Sequence, residues 1–144
     1  MKREYDGGFT LVEILVVIGV MTLILGILSP MGLNFYLDYQ LESEAKILGT
    51  LLQQTRNLAM TNRNESNHGL YFDNANFIVF QGTSFASRIV SQDKAIPRTQ
   101  SISLSGPSEL IFTALSGQTA STTYTISDSR KNYEIYVNAE GLVY

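Results

Sequence analysis

Glu13 is the residue whose chemistry most needs an explanation. It is the one formal charge in residues 9–29, FTLVEILVVIGVMTLILGILS. On insertion scales a carboxylate in such surroundings costs roughly 2.5 to 3.5 kcal/mol at the centre of a bilayer and less near the interface, so it calls for a partner. The rest of the chain offers little reactive chemistry. With no Cys, disulfides, thiolate metal sites and a cysteine nucleophile are excluded. His68 is the only histidine, which leaves little room for a Ser/His/Asp arrangement; no nucleophile, base and orienter can be grouped, and an enzyme is not expected. His68 follows a polar run and reads as a surface or loop residue.

Three further groups invite a sharper reading and are explained more simply. Asp73-Asn74-Ala75-Asn76 offers oxygens to a calcium ion, but such a site needs about 6 to 8 of them, usually with several carboxylates. Only Asp73 is charged here, so a hairpin turn accounts for the same residues and no metal or cofactor is expected. Arg130 and Lys131 are flanked by Asp128 and Glu134, the pattern of a solvated turn rather than of a phosphate contact. The net charge of −3 gives no global reason to expect nucleic acid. Asn64-Glu65-Ser66 fits a glycosylation sequon, a pattern common by chance. Gly19 and Gly26 permit close helix approach, though glycine is frequent in membrane helices.

The elements that position these residues follow from patterning. The block 9–29 supplies the roughly 20 mainly apolar residues a bilayer-spanning helix needs. The leading MKREYDGG is polar, and its small pair Gly7-Gly8 precedes the apolar block, the reverse of the order in a secretory signal. Lys2 and Arg3 favour a cytoplasmic N-terminus, diluted by Glu4 and Asp6. Beyond Pro30, Leu41, Ala45, Leu48, Leu52, Thr55 and Ala59 recur at four- and three-residue spacing as one amphipathic stripe, with Glu42 and Lys46 paired on the outer face. One helix from Phe9 to about Asn62, kinked at Pro30, would be roughly 80 Å long.

From about Asn64 the composition turns to Ser, Thr, Asn and Gly with short β-branched and aromatic runs. Residues 70–72 and 77–80 read as a hairpin. Further strands are expected at 88–90, 102–104, 110–113, 123–126, 133–137 and 142–144, all in antiparallel sheet. The Tyr and Phe residues in them read as sheet core and cross-strand partners. The stripe is the only helical surface able to cover a face of that sheet, so the expected class is α+β, a long N-terminal helix packed on a C-terminal antiparallel sheet domain. The expected organisation is 1–8 leader, 9–29 transmembrane or assembly helix, 30–63 its amphipathic second half, and 64–144 an exported β-rich domain.

Gly8-Phe9-Thr10-Leu11-Val12-Glu13 followed by an apolar helix resembles the class III signal of type IV prepilins and type II secretion pseudopilins. The resemblance implies the pilin fold, cleavage between Gly8 and Phe9 by a prepilin peptidase on the cytoplasmic face, and N-methylation of Phe9. Pro30 falls where many pilins kink this helix. Cleavage would supply the partner Glu13 lacks, because the freed Phe9 amine of a neighbouring subunit is a cation at the right level. A second, less specific likeness is to the minor pseudopilin H and fimbrial T group. It rests on Arg56-Asn57-Leu58-Ala59, Leu110-Ile111-Phe112, Ser116-Gly117, Glu134-Ile135-Tyr136-Val137 and Glu140-Gly141-Leu142-Val143. Some fimbrial T proteins bind DNA through arginines at their C-terminal glycine motif, and here Gly141-Leu142-Val143-Tyr144 carries no basic residue.

The function these features imply is that of a minor pilin or pseudopilin, a structural subunit of a pilus or secretion pseudopilus. It would begin as a single-pass inner-membrane protein with its N-terminus in the cytoplasm and end in a periplasmic or extracellular filament. Its partners would be other pilin or pseudopilin subunits, the prepilin peptidase, the inner-membrane assembly platform and, before assembly, lipid. The alternative is a membrane-anchored binding module whose β domain captures DNA or a secreted substrate.

Overall fold

The computed structural model describes residues 8–144, without the side chains of 27–33. The first element, α1 (Leu11–Met60), is helical for 50 residues. It contributes to two compact units, the described residues through Asp38 and the unit Tyr39–Tyr144. In the first unit the described backbone from Leu11 onward is helix. Pro30 falls inside α1, and the kink expected of it lies among residues outside the described side chains.

In the second unit the stripe does what its spacing predicts. Leu41, Leu48, Leu52, Thr55 and Ala59 are fully buried, and Ala45 packs against the same core. On the outer face Lys46 Nζ lies 2.6 Å from Glu42 Oε1. Beyond Met60 the chain turns through left-handed backbone at Asn62, Asn64 and Glu65 (φ 49°, 55° and 52°), a conformation that asparagine tolerates. That turn carries the chain into the strands.

These are β1 (His68–Phe72), β2 (Asn76–Gln81), β3 (Lys94–Pro97), β4 (Ser103–Ser105), β5 (Glu109–Phe112), β6 (Thr122–Ser127) and β7 (Asn132–Val137). All pairings are antiparallel. The β1–β2 hairpin is as expected, with Leu70 opposite Val79. Its turn closes on Asp73, whose Oδ1 accepts the N–H groups of Ala75 and Asn76, both at 2.7 Å. This is an Asx turn, in which the side chain stands in for a backbone acceptor.

Four expectations need correction. The strands form two sheets rather than one, ordered β3-β2-β1-β5 and β4-β6-β7. The chain changes sheet between β4 and β5 at Gly106, where φ is 142° and a Cβ would come within 2.6 Å of the Tyr124 ring. Residues 88–90 are not a strand, because Arg88 is recruited to hold a loop. Its guanidinium lies 3.7 Å over the Phe85 ring, and its Nε is 2.7 Å from Asp93 Oδ2. The edge strand β3 was not anticipated; Lys94-Ala95-Ile96-Pro97 lacks clear alternation, and its proline is tolerated at an edge. Finally, 142–144 returns along β7 by a single bridge, Val137 to Val143.

Leu70, Phe77, Val79, Leu110 and Phe112 of the first sheet share one core with Tyr124, Ile126, Ile135 and Val137 of the second and with the helical stripe. At about 25 cal/mol per Å² of apolar surface removed from water, this shared burial is the main source of stability for the unit.

Candidate functional site at the start of the helix

Gly8, Phe9 and Thr10 stand outside the helix and are exposed, Phe9 at 82%. The Gly8–Phe9 junction is therefore open backbone. Thr10 caps α1: its Oγ1 accepts the Glu13 N–H at 3.2 Å, while its carbonyl accepts the N–H groups of Glu13 and Ile14 at 3.1 and 3.3 Å. Thr10-x-x-Glu13 has the spacing of a capping box, a signal overlooked in the sequence. It places the Glu13 carboxylate in the first helical turn, where the aligned backbone N–H groups favour negative charge. Among the described residues the carboxylate has no cationic partner.

From Leu11 to Leu25 the apolar side chains are exposed on all sides of the helix, from 80% at Leu11 to 48% at Ile24. A helix apolar all round is one that other apolar matter covers. The Thr22 hydroxyl donates to the Ile18 carbonyl at 2.5 Å, so this polar group is satisfied within the helix itself. A Cβ added at Gly19 or Gly26 would meet nothing within 4 Å, leaving backbone open to close approach. Among the described residues no helix is long and apolar enough to cross a membrane. The apolar block of the sequence continues past Gly26 into residues whose side chains lie outside the description.

The other candidates fall as follows. His68 is not a loop residue: it opens β1 and is buried, 4% exposed. The Asp73 carboxylate is occupied by its turn, and among the described residues no three His, Cys, Asp or Glu gather where a metal could sit. Asp128 organises the turn of Arg130 and Lys131, accepting their backbone N–H groups at 2.8 and 2.7 Å. Those bonds hold its carboxyl below the usual range. The Asn64 amide donates to Gln81 Oε1 at 2.8 Å.

The second set of motifs converges at the C-terminal end of α1. Arg56 Nε donates to the Glu140 carbonyl at 3.2 Å, and a Cβ on Gly141 would meet the Gly117 carbonyl oxygen at 2.2 Å. The chain end is a hairpin in which Tyr136 and Tyr144 exchange backbone hydrogen bonds of 3.2 and 2.9 Å.

An N-terminal helix followed by antiparallel sheets that bury its second half is an α+β architecture consistent with the pilin fold. Residues 5–29 match the family described as the prokaryotic N-terminal methylation motif. The match spans Gly8, Phe9, Glu13 and the apolar block, and it supports a likeness to type IV prepilins and pseudopilins. Comparison with curated proteins and with solved structures gives no match.

Proposed function

We propose that this protein is a minor pilin or pseudopilin, a structural subunit of a type IV pilus or type II secretion pseudopilus. The carrying observation is a helix apolar on every side over residues 11–25 that opens on one carboxylate, Glu13, a single turn from the exposed Gly8–Phe9 junction. In this reading a prepilin peptidase cuts after Gly8, and the new Phe9 amine is methylated. The subunit waits in the inner membrane with its N-terminus on the cytoplasmic side. Moving from lipid into a filament core exchanges one apolar environment for another at little hydrophobic cost, so packing and polar pairing decide the geometry. Glu13 then neutralises the Phe9 ammonium of the adjacent subunit and sets the axial register. The closing hairpin at residues 138–144 and its seat against Arg56 support placement near the minor pseudopilin H and fimbrial T group.

Glu13→Ala and Glu13→Gln test the proposal in cells. Both variants are expected to be cut at Gly8 and to remain membrane-bound, yet to be lost from sheared filaments. Mass spectrometry of the mature wild type should find methylated Phe9 at its N-terminus. Filament incorporation of Glu13→Ala at the wild-type level would overturn the register role.

A further inference from the structure

A cavity of about 240 Å³ lies between α1, the turn after it and the β1–β2–β3 edge of the first sheet. Arg63, His68, Gln81 and Lys94 line it, and no Asp or Glu is among its described lining residues. Neither Arg63 nor Lys94 forms an ion pair among the described residues. His68 and Gln81 are 4% and 6% exposed overall, and neither has a side-chain polar atom that is both sealed from solvent and without a partner, so their unpaired atoms keep access to solvent.

The hydrogen bonds leave specific atoms over. His68 Nδ1 lies 3.1 Å from the Ser66 carbonyl, so that nitrogen carries the proton and Nε2 has no protein partner among the described residues. Gln81 Oε1 is taken by Asn64 at 2.8 Å, which leaves the Nε2 donor of Gln81 unused. Two cations, an imidazole and an amide donor thus line one cavity with no negative charge among its described lining residues. We propose that this cavity binds a small tetrahedral oxyanion, such as sulfate or phosphate, held by Arg63 and Lys94 and by His68 once its Nε2 is protonated. Two cations and an imidazolium match a dianion better than a monocarboxylate.

The resting state of His68 fits this role. Burial holds the imidazole below its ordinary value and the nearby Arg63 charge pushes the same way, against the Ser66 carbonyl. A bound anion offsets the Arg63 charge and gives the second ring proton an acceptor, so binding takes up a proton. The residues that line the cavity with His68 are Arg63 from the turn, Lys94 from β3, Gln81 from β2 and Gln54 from α1, while β5 places Phe112 opposite His68 in register.

The site is independent of the assembly reading, and its test does not depend on filaments. The full chain in detergent is titrated with sulfate, whose charge is constant between pH 5.5 and 8, while the His68 ring signals are followed by NMR. Saturable binding is expected, at least fivefold tighter at pH 5.5 than at pH 8, with the His68 pKa rising as sulfate binds. The double variant Arg63→Gln/Lys94→Gln alters two exposed side chains and is expected to keep the fold and weaken sulfate at least tenfold. His68→Gln is expected to flatten the pH dependence. Non-saturating shifts, or unchanged affinity in the double variant, would overturn the proposal. Acetate displacing sulfate at equal or lower concentration would overturn the tetrahedral assignment.

Discussion

Glu44 on α1 and Arg98 after β3 form an ion pair sealed from water, Nε to Oε1 at 3.3 Å, with the two side chains 3% and 4% exposed. Glu44 Oε2 also accepts the Thr99 N–H at 3.4 Å. Arg98 donates to the Asp73 carbonyl at 2.6 Å and the Ile102 carbonyl at 3.3 Å, and its guanidinium stands 5.1 Å from the Phe77 ring centre. The pair thus ties the helix to the β1–β2 turn and to the crossing between the sheets. Removing one partner strands the other charge in the interior, a loss of about 3 to 5 kcal/mol. Glu44→Ala should show that loss in urea denaturation, whereas Glu44→Leu/Arg98→Met should recover much of it. Equal losses in the single and double variants would show that the pair itself stabilises rather than merely compensating its own burial.

Gly141 should tolerate no side chain. Its φ of 76° is left-handed, and a Cβ would press on the Gly117 carbonyl and come within 2.9 Å of Arg56 Nε. Strain of about 1 to 3 kcal/mol is expected from the backbone alone, with overpacking adding to it. Gly141→Ala is expected to lower the melting temperature by several degrees, while Gly19→Ala, which meets nothing and replaces a poor helix former by a good one, should not lower it. A wild-type Tm for Gly141→Ala would contradict the close seat of the hairpin.

His68 predicts an acid-side weakness. Its folded pKa lies below the ordinary histidine value of 6.5, so as pH falls through that value the unfolded chain takes up a proton that the folded chain resists. The His68 contribution to stability is therefore full above about pH 7.5 and declines as the pH drops below about 6.5. Melting temperatures from pH 5 to 8 in a sulfate-free buffer should show this slope, and His68→Gln should remove it. Asp128, whose carboxyl is held low, contributes above its ordinary range near 3.8 and loses that contribution only at lower pH, outside the window.

Thr10 should matter locally. Replacing an N-cap threonine by alanine costs about 0.5 to 2 kcal/mol of helix stability. Thr10→Ala is expected to speed amide exchange at Glu13 and Ile14, and Thr10→Ser to restore protection. Unchanged exchange in Thr10→Ala would mean that the Oγ1 bond carries no part of the cap.

Much of this protein was legible where near neighbours decide the outcome. The apolar block, the lone Glu13, the stripe from Leu41 to Ala59 and the Asp73 hairpin depend on periods of a few residues, and short-range sterics and hydrogen bonding enforce them. The cap at Thr10 is equally local, since the Thr10-x-x-Glu13 spacing alone carries it. The tertiary structure alone decided what depends on chain closure. Glu44 finds its partner 54 residues away, and a carboxylate beside an amphipathic stripe reads as solvated until a loop brings an arginine over it. The strands sort into two sheets with crossings from β3 to β4, β4 to β5 and β5 to β6, Gly106 serving only the second, and strand propensity carries no information about which sheet a strand joins. His68 looked like a loop residue because the polar run before it hides that β1 begins there; only the closing of β2, β5 and the α1 end around the ring put it in the interior. Periodicity specifies which face of an element is buried, and long-range packing specifies against what.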